Sequence, residues 1–308
     1  MYRKFNKAIA VGASLGIALA SFAVTSASAK TPKPFPVKIK TSLGVVTIKS
    51  KPKAIISLSP TATEILFAIG AGKQVKAVDD QSNYPANAPH SKLSGYTPNI
   101  EAIAGMHPDL VVDAGDNQGG VVLSSGLAKF KIQTIEQLAA NTISDTYTQI
   151  VALGAATGHA KEASKLVISM KKRIAAAIAS VKNKGQALTF FHELDTTPYT
   201  ATSHTFIGRV YSAFGLKNIA DAAAGADKSG YPAITNEYLI ASNPDLIFLS
   251  DAQYGESPDT VKVRPGFSAL KAVQNNHVIP LPADYPNRWG PRIVNFYQFI
   301  AAVINKIG

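Results

Sequence analysis

The chain contains no cysteine. It therefore has no disulfide and no thiol that would carry an N-terminal lipid. Export is still compatible with this composition, because a chain of this length buries a sufficient core without staples. Beyond residue 29 no run is long and apolar enough to span a bilayer, which predicts a soluble protein. That same stretch has no G-x-S-x-G elbow, no phosphate-cradling G-x-x-x-x-G-K-[ST] and no G-x-G-x-x-G after a strand. Asp79 and Asp80 are adjacent on a strand, so their carboxylates point to opposite faces rather than forming a catalytic pair. A secreted α/β enzyme is thus the rival reading, and no enzyme and no cofactor is the expectation. The lysines are scattered rather than interleaved with aromatics, which argues against a nucleic-acid partner.

The N-terminus has the order of a secretory signal peptide. Arg3, Lys4 and Lys7 precede an apolar run from Ala8 to about Val24, and Ala27-Ser28-Ala29 supplies a small-x-small cleavage site. Removing residues 1–29 lowers the formal charge from +11 to +8, since three basic residues and no acidic ones are lost. The expected location is periplasmic or extracellular, soluble and not anchored through a cysteine lipid.

The remaining chain divides by pattern. Residues 30–53 are Lys- and Pro-rich, with one hairpin around Leu43-Gly44. Residues 54–158 alternate short apolar strands (Ala54–Leu58, Val75–Val78, Asp109–Val112, Ile132–Ile135) with helices, which implies parallel βαβ units. Residues 159–184 form a helical tract without glycine or proline from Lys161 to Lys182. Its apolar face is Leu166, Val167, Met170, Ile174, Ile178 and Val181. Residues 185–308 resume the alternation and close with an amphipathic helix over Ile293–Ile307. The fold class predicted is α/β, with two Rossmann-like lobes on central parallel sheets, joined by a single long helix, and a ligand cleft between them.

The halves share a signature. NIEAIAGMHPDLVV covers 99–112 and NEYLIASNPDLIFL covers 236–249, and Glu, Pro, Asp and Leu recur at an offset of 136 residues. Each unit alone is explained locally. Asn99 and Asn236 suit an N-cap, glutamate suits the first turn of a helix, and Pro-Asp suits a turn. Local preference does not explain the common offset of Glu101 and Glu237. Duplication or pseudo-symmetric use does.

Together with PKAIISLSPTATEILFAIG (52–70), VDDQSNYP (78–85), SGYTPNIEAI (94–103), HPDLVVDA (107–114) and NRWGPRIVNF (287–296), these strings resemble a known family from about residue 44 to the end. It comprises the ABC importer substrate-binding proteins with two Rossmann-like lobes and one linking helix, the binders of cobalamin, ferric siderophores and haem. The resemblance implies that Glu101 and Glu237 dock on arginines of a permease dimer, seating a monomeric two-lobed protein on a two-fold importer. The linking helix, acting as a strut, predicts modest lobe closure.

Ligands of such folds sit near the carboxyl ends of strands. Residues following predicted strands are Ser59, Pro60, Thr61, Asp80, Asn83, Tyr84, Tyr96, Asp116 and Asn117 in the first lobe. In the second they are His192, Glu193, Asp195, Tyr199, Tyr231, Asp251, Tyr254, Asp284, Tyr285, Arg288 and Trp289. Arg288 and Trp289 precede the closing helix, where matching family members touch ligand. The aromatic content suits a large, partly apolar, polycyclic ligand, a metal chelate. Cobalamin is favoured over a ferric siderophore, with haem third. The six histidines show no paired spacing, so no direct metal site is expected, although His192 is a candidate axial contact to a chelated metal.

Overall fold

A computed structural model describes residues 34–116, 120–182, 187–223, 225 and 229–307. The signal peptide expected at 1–29 and the candidate Asn117 lie outside the described residues. The strands are β1 (Val37–Thr41), β2 (Gly44–Ile48), β3 (Ile55–Leu58), β4 (Val75–Asp79), β5 (His90–Leu93), β6 (Leu110–Asp113), β7 (Gln133–Glu136), β8 (Thr189–Asp195), β9 (Tyr199–Thr200), β10 (Lys217–Asn218), β11 (Leu246–Leu249) and β12 (Val278–Pro280). The helices are α1 (Pro60–Ala68), α2 (Ile100–Gly105), α3 (Gly120–Lys129), α4 (Ile143–Thr157), α5 (Ala160–Ser180), α6 (Phe206–Ser212), α7 (Ala220–Ala223), α8 (Asn236–Ser242), α9 (Pro258–Lys262), α10 (Lys271–Gln274) and α11 (Ile293–Ile307).

The fold is two α/β lobes. The first carries a sheet of order β5-β4-β3-β6-β7, all pairs parallel. The second has order β10-β8-β11-β12, also parallel, with β9 added antiparallel to β8. Parallel strands are covered on both faces, which is why β3 (IISL), β6 (LVVD) and β11 (LIFL) are buried at every position. The hairpin β1–β2 does not stand apart as a leader. It packs Ile39 and Ile48 into the same apolar cluster as α1 and α4.

That cluster also runs along α5 into the second lobe, taking in Phe190, Tyr211, Phe248 and the buried side of α11. Its members on α5 are Ala163, Val167, Met170, Ile174 and Ala177, one stripe of a helix of 21 residues. At 1.5 Å rise this strut is about 32 Å long. It packs closely on α4 because Gly154 is small: a Cβ there would lie 2.3 Å from Ala163 Cβ. The opposite sheet faces carry separate clusters, one per lobe. The lobes are therefore joined along one side only.

The Pro-Asp-Leu exits have a role that turn propensity did not suggest. Asp109 accepts hydrogen bonds from the Lys53 and Ala54 amides at 2.8 and 3.1 Å. Asp245 accepts from the Thr189 amide and hydroxyl, both at 2.8 Å. Lys53 and Thr189 are themselves 136 residues apart. Each aspartate thus ties the start of the central strand to its neighbour, satisfying amides that enter the sheet unpaired.

Candidate functional site

The repeated units fold alike. In the first, Asn99 caps α2 by accepting from Ala102 N. In the second the cap of α8 is Thr235, accepting from Tyr238 N, and Asn236 is the first helical residue. The expected Asn236 cap is therefore corrected, and the correction restores the common offset, since 99 and 235 are 136 apart. A left-handed residue follows each helix at that offset too, His107 (φ 52°) just past the Met106 cap of α2 and Asn243 (φ 44°) as the cap of α8. Glu101 and Glu237 both occupy the second helical position of these equivalent helices, and both are exposed. The helix dipole favours a carboxylate there.

The crevice is defined by contacts across the lobes at the carboxyl ends of the strands. After β12, the segment Asp284–Arg292 reaches the first lobe. Arg292 donates to Glu64 of α1 at 2.5 Å and to Asp284 at 3.0 Å, and its guanidinium lies 4.3 Å from the Tyr84 ring centre. Arg288 donates to the Gln81 carbonyl at 3.3 Å. A cavity of about 410 Å³, lined in part by Glu64, Tyr84, Arg173 and Arg292, lies where both lobes meet α5. On the other flank, Gly95 passes over the ends of β3 and β4 so closely that a Cβ would lie 2.8 Å from both Leu58 O and Asp79 Oδ2. Only glycine permits this approach, which sets the following Tyr96 above the strand ends at 59% exposure.

The predicted lining residues sort by accessibility. Asp80, Asn83, Tyr84, Tyr96, Asp116, Tyr199 and Tyr254 are exposed. Pro60, Tyr231, Tyr285, Arg288 and Trp289 are half-buried. Ser59 and Thr61 are buried instead of open to a ligand. The Ser59 hydroxyl is occupied in capping α1, and Thr61 lies beneath the backbone of Gly290. His192 is also corrected. Its side chain is 0% exposed on β8, its Nδ1 is paired with the Tyr211 hydroxyl at 2.9 Å, and burial lowers its pKa to about 3. A neutral imidazole inside the core has no route to a chelated metal. Among the described residues no group of His, Cys, Asp and Glu is arranged to hold a metal ion.

Asp79 is buried and bonded to the Ser82 hydroxyl. Burial pushes its pKa up to about 6, with the Ser82 bond pulling the other way. Within the second lobe Arg264 forks onto Glu193, with both contacts at 2.7 Å, and also reaches Glu256 at 2.6 Å. Burial pushes the Glu193 carboxyl up and the Arg264 fork draws it back. Asp251, buried beside this cluster, is pushed up to about 7, first by burial and then by the charge of Glu193. Sequence reading named Glu193 and Asp251 but not Glu256 or Arg264, and no local signal marks either.

The sign of the pH effect at Asp251 follows directly. The native state holds a proton between about pH 4 and 7 that the unfolded chain has released. This stabilisation is complete below pH 4 and is lost as pH rises through 7. Asp251→Asn removes the titration. Its stability relative to the parent is expected to rise by on the order of 1–3 kcal/mol from pH 4 to pH 8 in urea unfolding. A difference that stays constant over that range overturns the assignment.

Against this geometry the similarities to known proteins are consistent. The chain is 30% identical over 267 residues to the ABC transporter substrate-binding lipoprotein YvrC of Bacillus subtilis (strain 168), covering 84% of this chain and 82% of that one. Its fold matches the crystal structure of a possible iron-binding (periplasmic solute-binding) protein from Staphylococcus epidermidis. That match has TM-score 0.72 and 26% identity, over 83% of this chain and 99% of that chain. The periplasmic vitamin B12 binding protein BtuF of Vibrio cholerae matches with TM-score 0.68 and 25% identity, over 83% of this chain and 98% of that chain. The sequence profile of the family described as periplasmic binding protein matches residues 55–285, and the chain belongs to that family.

Proposed function

We propose that this chain is the extracytoplasmic solute-binding protein of an ABC importer. It captures a metal chelate between its lobes and passes it to a permease dimer without turning it over. The placement of Glu101 and Glu237 carries this reading: two exposed carboxylates at the same position of equivalent helices, one per lobe, suit a two-fold partner. Charge pairs at such a rim set register and encounter rate more than affinity.

Cobalamin is the favoured cargo, ahead of a ferric siderophore. Four tyrosines named from the sequence, Tyr84, Tyr96, Tyr199 and Tyr254, are exposed and supply flat surfaces for a corrin-sized ligand. The lining also holds the exposed carboxylates Asp80 and Asp116, which disfavour a highly anionic catecholate. The interior position of His192 removes it as an axial contact to the metal of any of these chelates. The likenesses to a vitamin B12 binding protein and to a possible iron-binding protein support the class of cargo and not the order within it.

The chain has a single tryptophan, Trp289, at the lobe junction. Titrating its fluorescence with cyanocobalamin, a ferric hydroxamate, a ferric catecholate and haem is expected to give saturable, 1:1 quenching that is strongest for cyanocobalamin. No response to any chelate sinks the metal-chelate reading. A tight response to the catecholate alone reverses the order.

A further inference from the structure

Segment Asp284–Arg292 belongs by chain to the second lobe, between β12 and α11, yet its side chains reach the first. Glu64, on α1, is 3% exposed and meets the Arg292 guanidinium. Burial pushes the Glu64 carboxyl up, opposed by its hydrogen bond to Arg292 and by the charges of Arg292 and Arg288. Arg292 is held charged: burial works against it, and the Glu64 and Asp284 carboxylates outweigh that. Tyr84 covers the Arg292 face, and the backbone at Gly290 is in van der Waals range of Glu64 and Thr61, where a Cβ would sit 3.5 Å from each. Arg288 then hooks the Gln81 carbonyl while pairing with Asp284 at 3.6 Å. Two carboxylates and two guanidiniums are thus balanced in one half-dry junction, and Arg288 and Trp289 lie between its fixed ends.

We propose that Glu64 and Arg292 are positioning residues for the ligand site. The pair fixes Arg288 and Trp289 in the frame of the first lobe, although the chain assigns them to the second. Closure is then movement of the remaining second-lobe wall, with Tyr199, Tyr231 and Tyr254, toward a surface that already includes Trp289. A residue that only joined the lobes would affect unfolding alone. One that positions this wall also changes the native environment of Trp289 and the retention of ligand. The last consequence rests on the function proposed above; the first does not.

The test uses Trp289 as reporter well below the unfolding transition. Glu64→Gln keeps shape and removes charge, and Arg292→Lys keeps charge and removes the planar guanidinium that lies over the Tyr84 ring while its Nη2 donates to both Glu64 and Asp284. Arg173→Ala, which removes contacts from α5 to Asn295 and Gln298 in the same cavity, is the control. Without ligand, both junction variants are expected to show about 2-fold stronger acrylamide quenching of Trp289, and Arg173→Ala none. With cyanocobalamin, both are expected to release ligand about 10-fold faster. Unchanged quenching in folded Glu64→Gln and Arg292→Lys overturns the proposal, as does equal change in Arg173→Ala or unchanged release. Should either junction variant fail to fold, Asp284→Asn, which removes only one of the two carboxylates on Arg292, is expected to give an intermediate quenching change, and none overturns the proposal. Failure of the parent protein to bind any chelate removes the cargo reading and leaves the quenching result to decide the positioning.

Discussion

Arg264→Ala is expected to lower stability by about 3–5 kcal/mol, the usual cost of stripping one partner from a buried ion pair. Glu193 is 1% exposed on the central strand β8, and the fork from Arg264 is its main counter-charge. Glu256 loses its ion pair too, but it is less buried and contributes less. The carboxyl left behind can take up a proton at low pH, so the full loss is expected at pH 8 and a smaller one at pH 5. The paired replacement Glu193→Leu with Arg264→Leu is expected to recover most of the stability, because the pair's own attraction is largely offset by its desolvation. Urea midpoints with unchanged slopes read both variants. A loss below about 1 kcal/mol for Arg264→Ala would mean that Glu193 is already protonated or solvated in the native protein.

The second large effect concerns delivery. Glu101→Arg and Glu237→Arg each place a cation where the permease is proposed to present one. Each is expected to slow uptake by on the order of 10-fold in proteoliposomes holding the cognate importer. The sites lie on different lobes with no shared partner, so the double variant is expected to show roughly the product, about 100-fold. Chelate affinity, read from Trp289, is expected to stay within about 2-fold of the parent, and folding should be little changed because both glutamates are exposed. Uptake at parental rates in the double variant removes these glutamates from the docking surface. Equal losses of uptake and affinity would place them at the ligand instead.

Much of this architecture is legible in the sequence. Parallel βαβ units show as apolar runs alternating with capped helices, and β3, β6, β11, α5 and α11 lie close to where those runs predict. The offset of 136 residues located both glutamates, since N-capping, dipole preference and Pro-Asp-Leu are all local and recur with the repeat. Weakly patterned pieces were not legible. β5 (HSKL) has no apolar run, β9 and β10 have two residues each, and α7 and α10 four, too short for a period to show.

Local chemistry also determined which residue types stand near the crevice, because strand ends are visible in sequence. It did not determine which way they face. His192 and Glu193 are consecutive, yet one turns to Tyr211 in the core and the other to Arg264, since successive side chains on a strand alternate. The partners that give the site its electrostatics are remote. Arg264 is 71 residues from Glu193, and Arg292 is 228 residues from Glu64. No local propensity encodes such pairs. They exist because the tertiary fold brings distant segments onto buried carboxylates, within the second lobe for Glu193 and Arg264 and between the lobes for Glu64 and Arg292.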